Sequence, residues 1–308
     1  MTRPRLRLEQ EYDPRSVEKV ERLLELLEAL ARNPFLEKRL VLHGGTALNL
    51  FHLPRVRRLS VDIDLLYVGA VPREVMLEER DEVLGQLFSE ARLLGYHAGT
   101  PKDDHAGITS RMDYGDGRDQ IKVDLNFLDR VPVRGWATTL AEHLAPVVAF
   151  ACLQPSELVA RKVCALFGRV AVRDLYDLQG WNGLVGDPAF AALVVYYYSL
   201  ADSFPQRPLD VSVLDRFSSR QVDVERDLYP MLPATERPSV EELVSQVASL
   251  LESLSRLAPE HREYLRLLAE ENDYRPDLLF GDSSEALEAA RVSPRMEWKL
   301  QNLRSRAT

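Results

Sequence analysis

Val61-Asp62-Ile63-Asp64-Leu65 sets two carboxylates two residues apart inside an otherwise apolar run. On a strand, whose side chains alternate between faces, Val61, Ile63 and Leu65 turn to a core and both aspartates to the other side. Two like charges held side by side on a rigid element repel unless a cation lies between them, and hard oxygen donors suit Mg²⁺ or Mn²⁺. Asp is disfavoured in strands, so this pair reads as a candidate metal site; the alternative is a solvent-facing strand with two exposed acids. Gln120-Ile121-Lys122-Val123-Asp124-Leu125-Asn126-Phe127 alternates in the same way and offers Asp124 as a third carboxylate. Asp62, Asp64 and Asp124 together would suit two metals about 4 Å apart that stabilise the attacking and leaving oxygens of an in-line displacement at phosphorus. Asp113, Asp116, Asp119 and Asp129 crowd the same region, so Asp124 also reads as a plain polar-face residue.

Gly44-Gly45-Thr46 lies where a short apolar run gives way to a helical one. There the backbone N–H groups and the Thr46 hydroxyl can face a phosphate that side chains would otherwise block; an ordinary Gly-Gly turn is the alternative. Lys162 falls on a helical stretch with Leu158 and Leu166 near its face, as either a functional cation or a snorkelling amphipathic residue. Arg173 and Asp177 are spaced as an i,i+4 pair and, by themselves, read as a helix-surface ion pair. The six histidines form no close metal-ligand spacing and are read as structural. No Gly-x-Ser-x-Gly, Walker lysine or Rossmann fingerprint occurs, which argues against hydrolase, kinase and dehydrogenase chemistry.

The elements that must hold these residues are legible in outline. Residues 16–31 carry leucines at helical spacing, with Ser16 as N-cap and Asn33-Pro34 as the stop. A strand over 39–43 runs into the glycines, and a helix starts over 46–51. Residues 61–67 read as a strand of a covered sheet, and 108–114 with 120–128 as a hairpin closed by Gly115-Asp116-Gly117. From Pro155 onward the periodicity is helical, over 156–167, 172–178, 189–200, 240–257 with a capping box from Ser239 to Glu242, and 259–270. Residues 204–238, with five further prolines, read as an irregular connection. The expected architecture is therefore an α/β (α+β) domain with a mixed sheet over 1–150, followed by an all-α helical domain over 151–308.

Composition agrees with a soluble globular chain, 45% hydrophobic and 28% charged over 308 residues. Two cysteines, Cys152 and Cys164, give neither a disulfide framework nor a zinc site, so a reducing cytoplasm is expected. The N-terminus has no secretory pattern, and the longest apolar stretch, 189–198, is too short to cross a bilayer. A net charge of −9 gives no global attraction to nucleic acid. Any RNA contact must come from a local patch, for which Arg55, Arg57 and Arg58 are the candidates; a solvated surface loop is the alternative.

The strings Leu42-His43-Gly44-Gly45-Thr46-Ala47-Leu48 and Arg58-Leu59-Ser60-Val61-Asp62-Ile63-Asp64-Leu65 resemble the AbiEii and MenT toxin branch of the DNA polymerase β-like nucleotidyltransferases. So do Leu158-Val159-Ala160-Arg161-Lys162-Val163-Cys164-Ala165-Leu166 and Arg173-Asp174-Leu175-Tyr176-Asp177-Leu178, with further likeness over 274–280 and 294–299. The resemblance implies a small mixed sheet with helices, then a helical domain, with the active site between them. It implies that Gly45 and Thr46, grouped with Gly44 and Ser60, contact the nucleotide phosphates. It also implies that Asp62 and Asp64 bind metal, that Lys162 contacts the triphosphate and that Asp177 completes the site; Asp124 stands where the superfamily has its third carboxylate, a position at which this branch varies. The implied function is that of a toxin of a toxin–antitoxin system, transferring a nucleoside monophosphate from an NTP, with Mg²⁺ or Mn²⁺, to an acceptor hydroxyl. A tRNA 3′ end is the expected acceptor and a cognate antitoxin the expected partner. A small molecule or a protein side chain is the alternative acceptor. A nucleotide-binding module without turnover is the rival of another class, against which the intact Asp62 and Asp64 speak; a helical scaffold with surface acids is a third.

Overall fold

Near the N-terminus the chain forms β1 (Arg5–Leu6) and then α1 (Pro14–Arg32) in a computed structural model that describes residues 3–206, 209–281 and 284–307. The helix begins two residues before Ser16. Asp13 is its N-cap, accepting from the Ser16 N–H at 2.8 Å, and Pro14 occupies the first turn, where a missing N–H costs nothing. Leu23, Leu24, Leu26, Leu27 and Leu30 are fully buried, and Asn33 stops the helix by accepting from the Phe35 and Leu36 amides.

Contacts divide the chain into two units, Met1–Gln154 with Pro230–Thr235, and Pro155–Tyr229 with Glu236–Thr308. The division falls beyond the expected residue 150, which lies inside a strand, and a short segment of the later chain returns to the first unit. In that unit β2 (Leu40–His43) leads into α2 (Gly44–Thr46), which continues as a wider π-helical turn over Ala47–His52. Next come β3 (Asp62–Tyr67), α3 (Arg73–Leu93), β4 (His97–Ala98), β5 (Lys102–Asp103), β6 (Gly107–Tyr114) and β7 (Asp119–Asn126). The unit closes with β8 (Trp136–Ala141), β9 (Leu144–Ala145) and β10 (Val148–Leu153).

Eight strands form one mixed sheet in the order β4-β6-β7-β3-β2-β10-β8, with β5 also on β6. β6 and β7 are the expected hairpin, turned through left-handed backbone at Gly115, Asp116 and Gly117. β3 lies between β2, antiparallel, and β7, parallel. Its own alternation follows from this placement: Ile63 and Leu65 are fully buried, whereas Asp62 and Asp64 are half-buried on the other face.

The second unit contains α4 (Pro155–Arg169), α5 (Val172–Asp177), α6 (Pro188–Ser199), α7 (Gln221–Asp223), α8 (Val240–Ser255), α9 (Pro259–Arg266), α10 (Asp277–Phe280), α11 (Glu285–Arg291) and α12 (Pro294–Ala307). Among its described residues no strand occurs. The Ser239–Glu242 capping box is formed in both directions. Residues 204–238 are less irregular than expected: between the prolines the chain makes short helical turns at Val211–Phe217, Gln221–Asp223 and Val224–Leu228. No helix is long and apolar enough to cross a membrane among the described residues.

Candidate active site

Two glycines stand where β2 meets α2, and side chains of β3 and of the segment leading into it lie against them. Gly44 has φ +72°, and a Cβ there would sit 2.0 Å from the Asp64 Oδ2. A Cβ on Gly45 would sit 2.6 Å from the Arg58 Nη2 and 3.0 Å from the Ser60 Oγ. The glycine turn therefore touches both the metal-candidate strand and a guanidinium. His43 stands opposite Asp64 in the β2–β3 register, which fixes the turn at the level of that carboxylate.

Thr46 pins this arrangement from beneath. Its side chain is fully buried, its hydroxyl donates to the Asp62 carbonyl, and it meets the Ser60 Oγ at 3.0 Å. The hydroxyl proton of Thr46 is thus directed to β3, which ties the turn to the strand. Asn49 adds a second tie, donating to the Gly45 carbonyl at 3.0 Å.

Asp64 and Asp124 are direct neighbours across the parallel β3–β7 register. Neighbouring positions in a sheet share a face, so the three acids gather on one side of two strands. The Asp124 carboxylate is taken by the Thr109 hydroxyl, at 2.5 Å, and by the Lys122 ammonium. Asp62 and Asp64 are half-buried hard-oxygen donors beside a turn that a Cβ would fill, which fits a divalent cation. Asp124 fits less well while Lys122 neutralises it, and among the described residues no group of three or more His, Cys, Asp or Glu is gathered for a metal ion.

The basic patch separates into unlike residues. Arg55 is exposed and Arg57 half-buried. Arg58 is only 3% exposed, donates to the Leu59 carbonyl and packs on Gly45, so it is no part of a surface RNA patch. Sequence periodicity could not show this, because Arg58 precedes β3 on an irregular segment.

In the second unit Lys162 is 8% exposed and does not snorkel. Its ammonium meets the Asp174 Oδ1 and the Asp177 Oδ2, each at 2.8 Å. Arg169 donates to both oxygens of Asp174, at 2.6 and 2.8 Å. Burial pushes the Asp174 carboxyl up, but the Lys162 ammonium and Arg169 guanidinium outweigh it and hold the group below its ordinary value. The Asp177 carboxylate is therefore buried with the Lys162 ammonium, where its i,i+4 spacing to Arg173 had suggested a helix-surface position. Asp174 was not among the expected site residues; the signal for it was its i,i+3 spacing to Asp177, which puts both acids on one face of α5.

The histidines place no ligand cluster: the Nε2 atoms of His52 and His143 lie 2.9 Å from the carbonyls of Leu153 and Leu53.

Comparison with known proteins gives one family. The sequence family described as nucleotidyl transferase AbiEii toxin, type IV TA system, matches residues 25–246. MenT4, a nucleotidyltransferase toxin of Mycobacterium tuberculosis, is similar in fold at a TM-score of 0.59 and 19% identity, over 90% of this chain and 92% of that one. JHP933 of Helicobacter pylori aligns at a TM-score of 0.49 and 18% identity, over 84% of this chain and 100% of that one. No curated protein matches.

Proposed function

Because the chain belongs to the AbiEii family of nucleotidyltransferase toxins of type IV toxin–antitoxin systems, we propose that it transfers a nucleoside monophosphate from an NTP to the 3′ end of a tRNA. The observation that carries this reading is the close approach of Asp64 to Gly44. It brings an acidic strand face to the glycine turn where β2 meets α2, the pairing that triphosphate chemistry needs.

In this proposal Asp62 and Asp64 hold Mg²⁺ or Mn²⁺, which supplies charge neutralisation to the triphosphate when bound. Asp124 joins them only where Lys122 lets it go. The Gly44 and Gly45 amides orient the phosphates, while Thr46 and Ser60 keep the turn against β3. Lys162 is a preorganised cation for the triphosphate, aligned by Asp174 and Asp177. Arg55 and Arg57 are the remaining basic residues for an RNA contact. With NTP and tRNA as substrates the place of action is the cytoplasm, and a cognate antitoxin is the expected protein partner.

Incubation of the purified chain with radiolabelled NTPs, Mg²⁺ and total tRNA tests the reading. Labelled tRNA from the wild type and none from Asp62→Ala is the expected result. Labelled protein or small molecule without labelled tRNA would move the acceptor, and nucleotide binding with no pyrophosphate released would turn the reading to a binding module.

A further inference from the structure

The sheet face that carries Asp62 and Asp64 also carries a cation of its own. β3 and β7 run parallel, with Asp62 opposite Lys122 and Asp64 opposite Asp124. Directly opposed positions share a face, so these four residues are the corners of one patch, three acidic and one basic. The Lys122 ammonium meets the Asp124 Oδ2, and the Thr109 hydroxyl on β6 donates to the Asp124 Oδ1 at 2.5 Å. Each oxygen of the third carboxylate therefore has its own donor. The side chains of Lys122 and Asp124 are 37% and 30% exposed. An ion pair so exposed contributes little to stability, and its place among the acids is what sets it apart from other surface pairs.

Two divalent cations about 4 Å apart would need Asp124 to share its oxygens with one of them. Lys122 opposes this at close range, because a dication brought to the Asp124 Oδ2 would meet the ammonium there and be repelled by it. Arg111, opposite Lys122 on β6, puts a further positive side chain at that end of the face. An ammonium can do part of what a metal ion would do. It is a compact charge with three donors; one goes to Asp124, which leaves two for an oxygen of the substrate. It brings one positive charge where a dication brings two, and it is present without loading from solution. Asp62 and Asp64, with Gly44 close against Asp64, remain for one divalent cation.

We propose that the Lys122 ammonium takes the place of a second metal ion, so that Asp62 and Asp64 hold a single divalent cation while Asp124 orients Lys122. This rests on the nucleotidyltransferase reading above.

Mn²⁺ bound to the full chain is counted by equilibrium dialysis, with a non-hydrolysable NTP analogue at the same concentration in both compartments. Asp62→Asn/Asp64→Asn gives the background of ions bound elsewhere on the acidic chain. Above that background the wild type should bind a single ion per chain. Lys122→Met should bind a second, and its electron paramagnetic resonance spectrum should show the exchange coupling of two Mn²⁺ ions about 4 Å apart. Lys122→Gln, which keeps a hydrogen-bond donor without the charge, should do the same. Lys122→Met/Asp124→Asn should return to a single ion, because the second depends on the released carboxylate. A lysine that only stabilised β7 would leave these counts unchanged, and circular dichroism on the same samples shows which variants are folded. A second ion on the wild type, or none gained by the folded Lys122 variants, would overturn the proposal and leave the metal role of Asp62 and Asp64 standing. A wild type at background would remove that role, and the proposal with it.

Discussion

At the scale of single residues, the site is a set of close approaches, and each predicts its own failure. Asp62→Asn or Asp64→Asn removes one carboxylate charge from the polar face of β3 at nearly unchanged side-chain size, so transfer should fall by about a hundredfold or more while the secondary structure is kept. Activity and circular dichroism on the same samples check this, and an active Asp64→Asn would remove the metal role. Gly44→Ala makes a sharper demand. Its methyl would meet the Asp64 carboxylate at 2.0 Å, on backbone with φ +72°. Alanine strains this conformation, so Asp64 or the turn must move. The expected outcome is loss of NTP affinity measured by calorimetry, together with lower thermal stability. Retained affinity in Gly44→Ala would mean that the turn can shift without touching the nucleotide. Gly95, also at positive φ, has nothing near its Cβ position, so Gly95→Ala should leave NTP affinity intact.

At the scale of elements, the α4–α5 pair holds a buried charge cluster whose sign pattern sets its pH response. The Asp174 carboxyl is depressed in the folded state, so its stabilising contribution is complete above the ordinary carboxylate pKa of about 4 and is lost as pH falls through the lower folded value. Denaturant unfolding of wild type and Asp174→Asn at stepped acidic pH should therefore converge as pH drops; parallel curves would show that the charge contributes nothing. Lys162→Met leaves Asp174 and Asp177 buried without that ammonium and should destabilise by about 3–5 kcal/mol. An activity loss in this variant must be read against its unfolding curve. Much of this scale was legible beforehand. β3 and β7 alternate so regularly that their acidic face could be read directly, and the glycines at 115 and 117 marked the hairpin turn. α3 escaped because its apolar stripe is sparse, with only Met76, Val83, Leu87 and Ala91 buried among charged residues. β8 escaped because an edge strand open to solvent on most positions shows no inside-outside alternation. The inward turn of Arg58 and Thr46 escaped for another reason: it depends on which strands become neighbours, and a local pattern cannot encode that.

At the scale of the whole molecule, the chain does not simply finish one unit and begin the next. After building α4 to α7 it sends Pro230–Thr235 back to the first unit before α8. The return is tied at two points: the Leu59 amide donates to the Met231 carbonyl at 2.8 Å, and the Ala234 amide to the Glu11 carbonyl at 2.9 Å. Leu232 between them is 2% exposed. Leu59 immediately precedes Ser60, so the segment that leads into the acidic strand depends on residues far along the chain. Cutting the chain at the apparent boundary near residue 154 would remove both ties. Truncating Leu232 to alanine should cost about 2–5 kcal/mol, as for other buried leucines. The loss should register first in the unit that Leu232 packs into. Hydrogen exchange would locate it: amides of β2 and β3 should lose protection in Leu232→Ala, while those of α8 and α12 keep theirs. Loss confined to α8 and α12 would instead assign Leu232 to the core of the second unit and leave the returning segment a mere crossing of the chain.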